Sequence, residues 1–120
     1  MGSHRDLEVW RLAQKLGIRI FRETSGDIVN RAPALVDQVR RSTESIADNL
    51  AEGHAARTKG VYLRHIAIAL GSAAEADSQF QRLRDRSDWT PELSSDLLDE
   101  LTSIRRMLLA LERGVKRRQK

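Results

Sequence analysis

The chain has no cysteine, few aromatic residues and only two prolines. The absence of cysteine excludes disulfides, thiolate catalysis and cysteine-ligated zinc or iron–sulfur centres. The longest run without an acidic, basic or histidine residue covers nine positions, 66–74, whereas a helix needs roughly 20 apolar residues to cross a bilayer. No basic leader followed by an apolar stretch opens the chain. We therefore expect a cytoplasmic protein that does not enter a membrane.

The chain is rich in Arg, Leu and Ala, and its length of 120 residues suits one helical domain. The net charge is +4, but the last eight residues hold five cations and no acid, so the rest is close to neutral. We predict a bundle domain over residues 1–112 and a basic C-terminal tail over residues 113–120.

Four segments place apolar residues at alternating steps of three and four, which is typical of amphipathic helices. In the first segment the apolar positions include Gly17 and Phe21. The second runs from Pro33 towards Gly53, where we expect it to end because glycine favours helix termination. Thr58 and the Thr90–Pro91 pair are predicted to start the third and fourth segments. Short loops between them predict an all-α, antiparallel up-down-up-down four-helix bundle.

The third segment lacks charge on every side of its middle, although the whole chain is about one-third charged. A helix without a charged face is normally buried all round. In a small domain, the additional cover must come from another copy or another molecule. The predicted oligomer interface consists of Ala67, Gly71, Ala74, Glu75 and Ser78.

Charged residues form a basic stripe on the first segment and an acidic stripe on the second. Solvated surface, a head-to-tail subunit contact and, for the basic stripe, phosphate binding all remain open. A further basic cluster surrounds the turn between the second and third segments. The basic stripe is Arg11, Lys15, Arg19 and Arg22; the acidic stripe is Glu44, Asp48 and Glu52; the cluster is His54, Arg57, Lys59, Arg64 and His65.

The sequence lacks the motifs of several common classes of catalytic and binding site. No glutamate has a histidine three positions later, as di-iron bundles require, and no glycine-rich phosphate loop is present. Ser42, Ser45 and Asn49 lie near the seam of the second segment, where they either line a polar pocket or fix helix register. No partner is positioned for hydrolase chemistry. We expect no catalytic residue, metal or cofactor.

Three strings, in order, carry a family resemblance: RDLEVW at residues 5–10, SIADNLAEG at 45–53 and IALGSAAEADSQ at 68–79. From Arg5 to about Leu111 the chain closely resembles the small four-helix bundle proteins encoded in intervening sequences of bacterial 23S rRNA genes. One departure is Gly60–Val61, which replaces an acidic residue usual before the aromatic. The residues that match the motifs are Asn49, Glu52, Gly53, Gly71, Ser72, Glu75 and Gln79, and Arg57 matches a basic residue after the first motif.

The resemblance implies a ring of five subunits. It also implies kinship with the accessory variability determinant proteins of diversity-generating retroelements, which are pentameric bundles that bind nucleic acid. No catalytic set comes with it. Our first hypothesis is a non-enzymatic homo-oligomer, expected to be a pentamer, that binds RNA or DNA. Its phosphate contacts are predicted to be Arg11, Lys15, Arg19, Arg22, Arg57, Lys116, Arg117 and Arg118.

The alternative is a protein-binding assembly scaffold that does not bind nucleic acid. In that case the subunit interface covers the basic stripe. Salt-sensitive binding of structured RNA by the purified protein distinguishes the two hypotheses.

Overall fold

The structure is a computed structural model that describes residues 3–118, apart from the side chain of Asp6. A 3-10 turn, His4–Asp6, leads into helix α1, Glu8–Glu23, and a one-turn helix α2, Ile28–Arg31, follows. Three long helices complete the chain: α3, Pro33–Ala55; α4, Lys59–Asp85; and α5, Pro91–Arg117. Within residues 3–118 there is no strand. The four long helices form the predicted antiparallel up-down-up-down bundle, which measures 49 × 20 × 20 Å.

The predicted helix starts are confirmed in atomic detail for α4 and α5. The Thr58 hydroxyl accepts a hydrogen bond from the backbone N–H of Val61 (3.2 Å), and the Thr90 hydroxyl accepts one from Leu93 (3.1 Å). A proline occupies the first position of both α3 and α5. These residues satisfy or remove N–H groups that would lack a partner in the first turn.

The apolar seams of the four long helices meet along the bundle axis. Around that axis the helices neighbour each other in the order α1, α3, α4, α5 and back to α1. At one end, the Phe80 and Trp89 rings meet edge to face, and the Trp89 indole N–H donates to the carbonyl of Glu23 (3.0 Å). The largest fully buried side chains are Leu16, Ile20, Val39, Ile46, Leu50, Ile66, Phe80, Leu83, Leu97, Leu101, Ile104 and Leu108.

Gly53 does not end α3, so that prediction was wrong. The helix continues to Ala55, and Gly53 is buried against α4. A Cβ atom added to Gly53 would lie 2.8 Å from the Cβ atom of His65 and 3.0 Å from Cδ1 of Tyr62. The glycine therefore permits a close approach of two helices.

The boundary predicted after residue 112 does not coincide with a helix end. Helix α5 continues to Arg117, and Val115 is fully buried. The Lys59 ammonium donates hydrogen bonds to the carbonyl oxygens of Lys116 (3.0 Å) and Arg118 (2.9 Å). Residues 113–118 thus pack with the bundle, while the last two residues of the predicted tail lie outside the described part of the chain.

Candidate nucleic-acid and assembly surfaces

Polar side chains pair across the interface between α3 and α4. Because antiparallel helices can slide past each other on apolar contacts alone, such pairs fix their register. These contacts agree with the register alternative for the serines and asparagine of the second segment, and Ser42 and Ser45 also line a surface cavity, as the polar-pocket alternative expects. The pairs are Ser42 with Gln79, Ser45 with Ser72 (2.8 Å between hydroxyl oxygens) and Asn49 with His65 (2.9 Å between Oδ1 and Nδ1).

The family-motif residues fall mostly on this interface. Asn49, Ser72 and Gln79 belong to the three pairs, and Gly53 forms the close contact between the helices. Glu52 is exposed on the outside of α3. Four of the seven motif residues therefore lie where α3 packs on α4, whereas Glu52, Gly71 and Glu75 face solvent in the single chain.

The predicted basic stripe of α1 is not uniform in the structure. The Arg19 guanidinium forms ion pairs with Asp96 (2.7 Å) and with Glu100 on α5. The hydrogen bond with Asp96, more than the interactions with Glu100, raises the pKa of Arg19 above its ordinary value. Arg19 is thus charge-compensated within the chain. The other three residues of the stripe, Arg11, Lys15 and Arg22, are exposed and form no ion pair with any side chain that the structure describes.

The topology gathers basic residues from three distant parts of the sequence at one end of the bundle. The start of α1, the α3–α4 turn and the end of α5 all lie there. Segments 3–11, 52–64 and 112–118 contribute nine cations against four carboxylates. We call these cations the basic end; they are Arg5, Arg11, Arg57, Lys59, Arg64, Arg113, Lys116, Arg117 and Arg118.

The cations of the basic end differ from those elsewhere in being largely unpaired. Among the described side chains, one ion pair occurs there, between Lys116 and Glu112 at 4.0 Å. Outside the basic end, six of the eleven described lysines and arginines have acidic partners: Arg19, Arg31, Arg41, Arg84, Arg86 and Arg105. The positive potential is therefore concentrated at this end of the molecule.

Tyr62 anchors the end of α5 to α4 within the basic end. Its ring lies 5.6 Å from the Arg118 guanidinium carbon, and its hydroxyl lies 3.2 Å from Nδ1 of His54. Burial raises the pKa of Tyr62 above its ordinary value, and the charge of Arg118 acts in the opposite direction. The contact with the Tyr62 ring places the exposed Arg118 side chain beside α4.

The outer face of α4 is uncovered in the single chain. The five residues predicted for the oligomer interface, Ala67, Gly71, Ala74, Glu75 and Ser78, are all exposed, as is Ile68 beside them. Apart from the adjoining residues and backbone of its own helix, nothing lies within 4 Å of the place where a Cβ atom of Gly71 would stand. We call this surface the α4 face; its side chains are small or apolar, and Glu75 is its one charged residue.

A groove between α1 and α3 was not predicted from the sequence. It encloses about 400 Å³ above Ala13, Gly17 and Ala47, and α1 contributes the half-exposed Ile18 and Phe21 to its lining. Phe21 was expected in the seam, but its ring instead lies 4.2 Å from the Arg40 guanidinium carbon on the surface. Gly17 was the available signal, because a residue without a side chain leaves the space between the helices open. The charged residues of the groove are Arg22, Glu44 and Asp48.

Neither a metal centre nor a membrane-spanning helix is found among the described residues. Residues 3–118 contain no group of three or more histidine or acidic side chains placed to hold a metal ion. No helix among them is both long and apolar enough to cross a bilayer.

Comparison with known proteins identifies a matching family and a solved structure with a similar fold. The profile of a family described as "23S rRNA-intervening sequence protein" matches residues 5–110. A crystal structure of a protein of unknown function from the S23 ribosomal protein family of Bacteroides thetaiotaomicron is similar in fold, with a TM-score of 0.80. That protein is 22% identical, and the match covers 88% of this chain and 95% of that one. No curated protein matches the chain. Neither description names an enzymatic activity.

Proposed function

Since this chain belongs to the family of 23S rRNA-intervening sequence proteins, we propose that it is a non-enzymatic homo-oligomeric bundle that binds the phosphate backbone of nucleic acid. The basic end is the binding surface. Of the predicted contacts, Arg11, Arg57 and residues 116–118 belong to it. Arg19 does not, because Asp96 and Glu100 already compensate its charge.

The observation that carries this proposal is the concentration of unpaired cations at one end. Cations that have intrachain partners gain little from a phosphate, since a new contact must replace an existing one. Cations without partners can neutralise phosphates, which releases the counterions condensed on the nucleic acid, and this release drives binding. The basic end has eight cations with no ion pair among the described side chains.

Assembly is supported by the α4 face. A mid-helix surface of exposed small and apolar residues, with one carboxylate, suits close contact with another protein surface. A closed ring made by rotation keeps the same end of every subunit on the same side. The basic ends of all copies then form one rim, so that weak contacts to a phosphate backbone add up. Five copies is the number that the family resemblance implies.

Salt-dependent binding of structured RNA tests this function. We would measure fluorescence anisotropy of a labelled RNA hairpin over a range of salt concentrations, and sedimentation of the same protein. Replacing Lys116, Arg117 and Arg118 together by alanine should weaken binding. It should also make the slope of log affinity against log salt shallower by about 2 to 3 for each engaged subunit.

The matched control removes three exposed cations outside the basic end: Arg82, Arg84 and Arg106 are replaced by alanine. Because both variants lose the same net charge, an equal loss of affinity would contradict a localised binding surface. An assembled wild-type protein that binds neither RNA nor DNA at low salt would favour the scaffold alternative. A wild-type protein that sediments as a monomer at micromolar concentration would refute assembly.

A further inference from the structure

Four charged residues on two separate surfaces have no ionic partner in the described part of the chain. Glu75 and Arg64 lie on the outside of α4, and Arg22 and Asp48 line the α1–α3 groove. Arg41 shares a surface cavity with Glu75, but it is paired with Asp37 at 2.9 Å. Glu44 also lines the groove without an ion pair, so the groove carries one unpaired cation and two unpaired anions, whereas the outside of α4 carries one of each.

The two surfaces have complementary shapes. The α4 face is a ridge with side chains no larger than Ile68, and at Gly71 there is open space at the position of a Cβ atom. The groove has a floor of small residues and half-exposed apolar walls at Ile18 and Phe21. A helix with small side chains is the element that fits closely into such a groove.

Contacts inside the bundle set the heights of these residues along its axis. The pairs Ser45–Ser72 and Asn49–His65 relate α4 to α3, and a hydrogen bond from Arg40 to Thr24 (2.9 Å) relates α3 to α1. From these pairs and the antiparallel rise of about 1.5 Å per residue, the middle of the α4 face lies level with the middle of the groove.

The unpaired charges are aligned by the same contacts. Glu75 lies at the height of about residue 41 in α3, and therefore within about two residues of Arg22 in α1. Arg64 lies at the height of about residue 52 in α3, which is one helical turn from Asp48. An arginine side chain spans the distance of one turn.

We infer that copies of this chain assemble head to tail, with the α4 face of one copy in the α1–α3 groove of the next. Glu75 of each copy then faces Arg22 of its neighbour, and Arg64 faces Asp48, so the phosphate contacts of the assembled protein come from the other cations of the basic end. The inference rests on the proposed homo-oligomer and identifies the two surfaces that join its subunits.

The equal heights are what ring closure requires. Rotation about an axis parallel to the bundle does not change the height of any residue, whereas surfaces at unequal heights would generate an open helical filament. The α4 face and the groove are also not diametrically opposite, because α3 borders the groove and is a direct neighbour of α4. Successive copies therefore turn about the axis instead of adding in a straight line.

Charge reversal tests the Glu75–Arg22 contact. We expect Arg22→Glu and Glu75→Arg each to place like charges across every interface, raising the dissociation constant of the oligomer by about tenfold or more. The double variant Arg22→Glu/Glu75→Arg restores opposite charges and should sediment like the wild type. Circular dichroism would verify that all three keep their helix content.

Matched controls are Arg106→Glu and Glu92→Arg, which make the same charge changes at exposed positions outside both surfaces and should leave assembly unchanged. If both Arg22→Glu and Glu75→Arg remain assembled like the wild type, the pairing is wrong and the proposed function still stands. Dissociation of both single variants without rescue in the double variant also overturns the pairing. A monomeric wild-type protein would instead remove the proposed oligomer itself.

Discussion

At Gly53, helices α3 and α4 pack so closely that no methyl group fits between them. Alanine in the interior of a helix is normally more favourable than glycine by about 1 kcal/mol. Here the added Cβ atom would meet the Cβ atom of His65 at 2.8 Å, and a Cβ atom cannot rotate away. We expect Gly53→Ala to lower the free energy of unfolding by about 1 to 3 kcal/mol, as overpacking does. Urea denaturation followed by circular dichroism measures this.

Gly114 provides the control for that substitution. It also lies inside a long helix, but no atom is found within 4 Å of the position that its Cβ atom would occupy. Gly114→Ala should therefore raise the free energy of unfolding by roughly 0.5 to 1 kcal/mol. An equal stabilisation by Gly53→Ala would show that α3 and α4 can separate without cost at this point.

Arg19 and Arg22 show that the sequence of one helix does not tell which of its cations form ion pairs in the fold. They are three positions apart in one basic stripe, and the pattern treats them alike. In the fold, Arg19 meets two carboxylates on α5, whereas Arg22 meets none among the described residues. The difference depends on the tertiary packing of α1 against α5, so no pattern within α1 contains it.

Among the helices, starts could be predicted more accurately than ends. Thr58 and Thr90 were found because a capping side chain is a local signal that acts within three residues. The one-turn helix α2 was missed; it is too short for periodicity, and its buried Ile28 is held by the rest of the bundle. The end of α3 was misplaced because Gly53 serves packing between helices, which sequence alone does not distinguish from termination.

Tyr62 reports whether the last turns of α5 dock on α4. It is the only tyrosine in the chain, so the ultraviolet absorbance of tyrosinate follows it alone. Because burial raises its pKa, its titration midpoint should lie above the ordinary value of 10.0. The unfolded chain then loses this proton first, so the free energy of unfolding should fall as the pH rises past 10.0.

Two variants separate the causes of that shift. Arg118→Ala removes a cation that favours tyrosinate, so the midpoint should rise further. Ending the chain after Gly114 also removes the buried Val115, which exposes the ring, and the midpoint should move back towards 10.0. A midpoint that does not respond to the truncation would show that the end of α5 does not cover Tyr62.

Over the whole molecule, the proposed function depends on the position of the charges along the bundle axis. In the sequence, the net charge of +4 is due to the C-terminal residues, and the cations of the α3–α4 turn form a separate cluster. An up-down-up-down topology places both at one end, together with the start of α1. The basic end could therefore have been derived from the predicted topology. The α1–α3 groove could not, because its depth depends on how two helices pack around Gly17.

The proposed ring and the proposed binding surface together predict that RNA binding depends on assembly. If the phosphate contacts of several subunits act together, disrupting assembly should weaken RNA binding even though every cation is retained. Gly71→Leu places a large apolar side chain on the α4 face without changing the net charge, and the open space around Gly71 lets the single chain keep its fold. We expect sedimentation to show smaller species with unchanged helical circular dichroism. The slope of log RNA affinity against log salt should also fall in proportion to the number of subunits lost. If the dissociated variant instead bound RNA with the affinity and salt slope of the intact ring, each subunit would bind alone, and the shared rim would have no role in recognition.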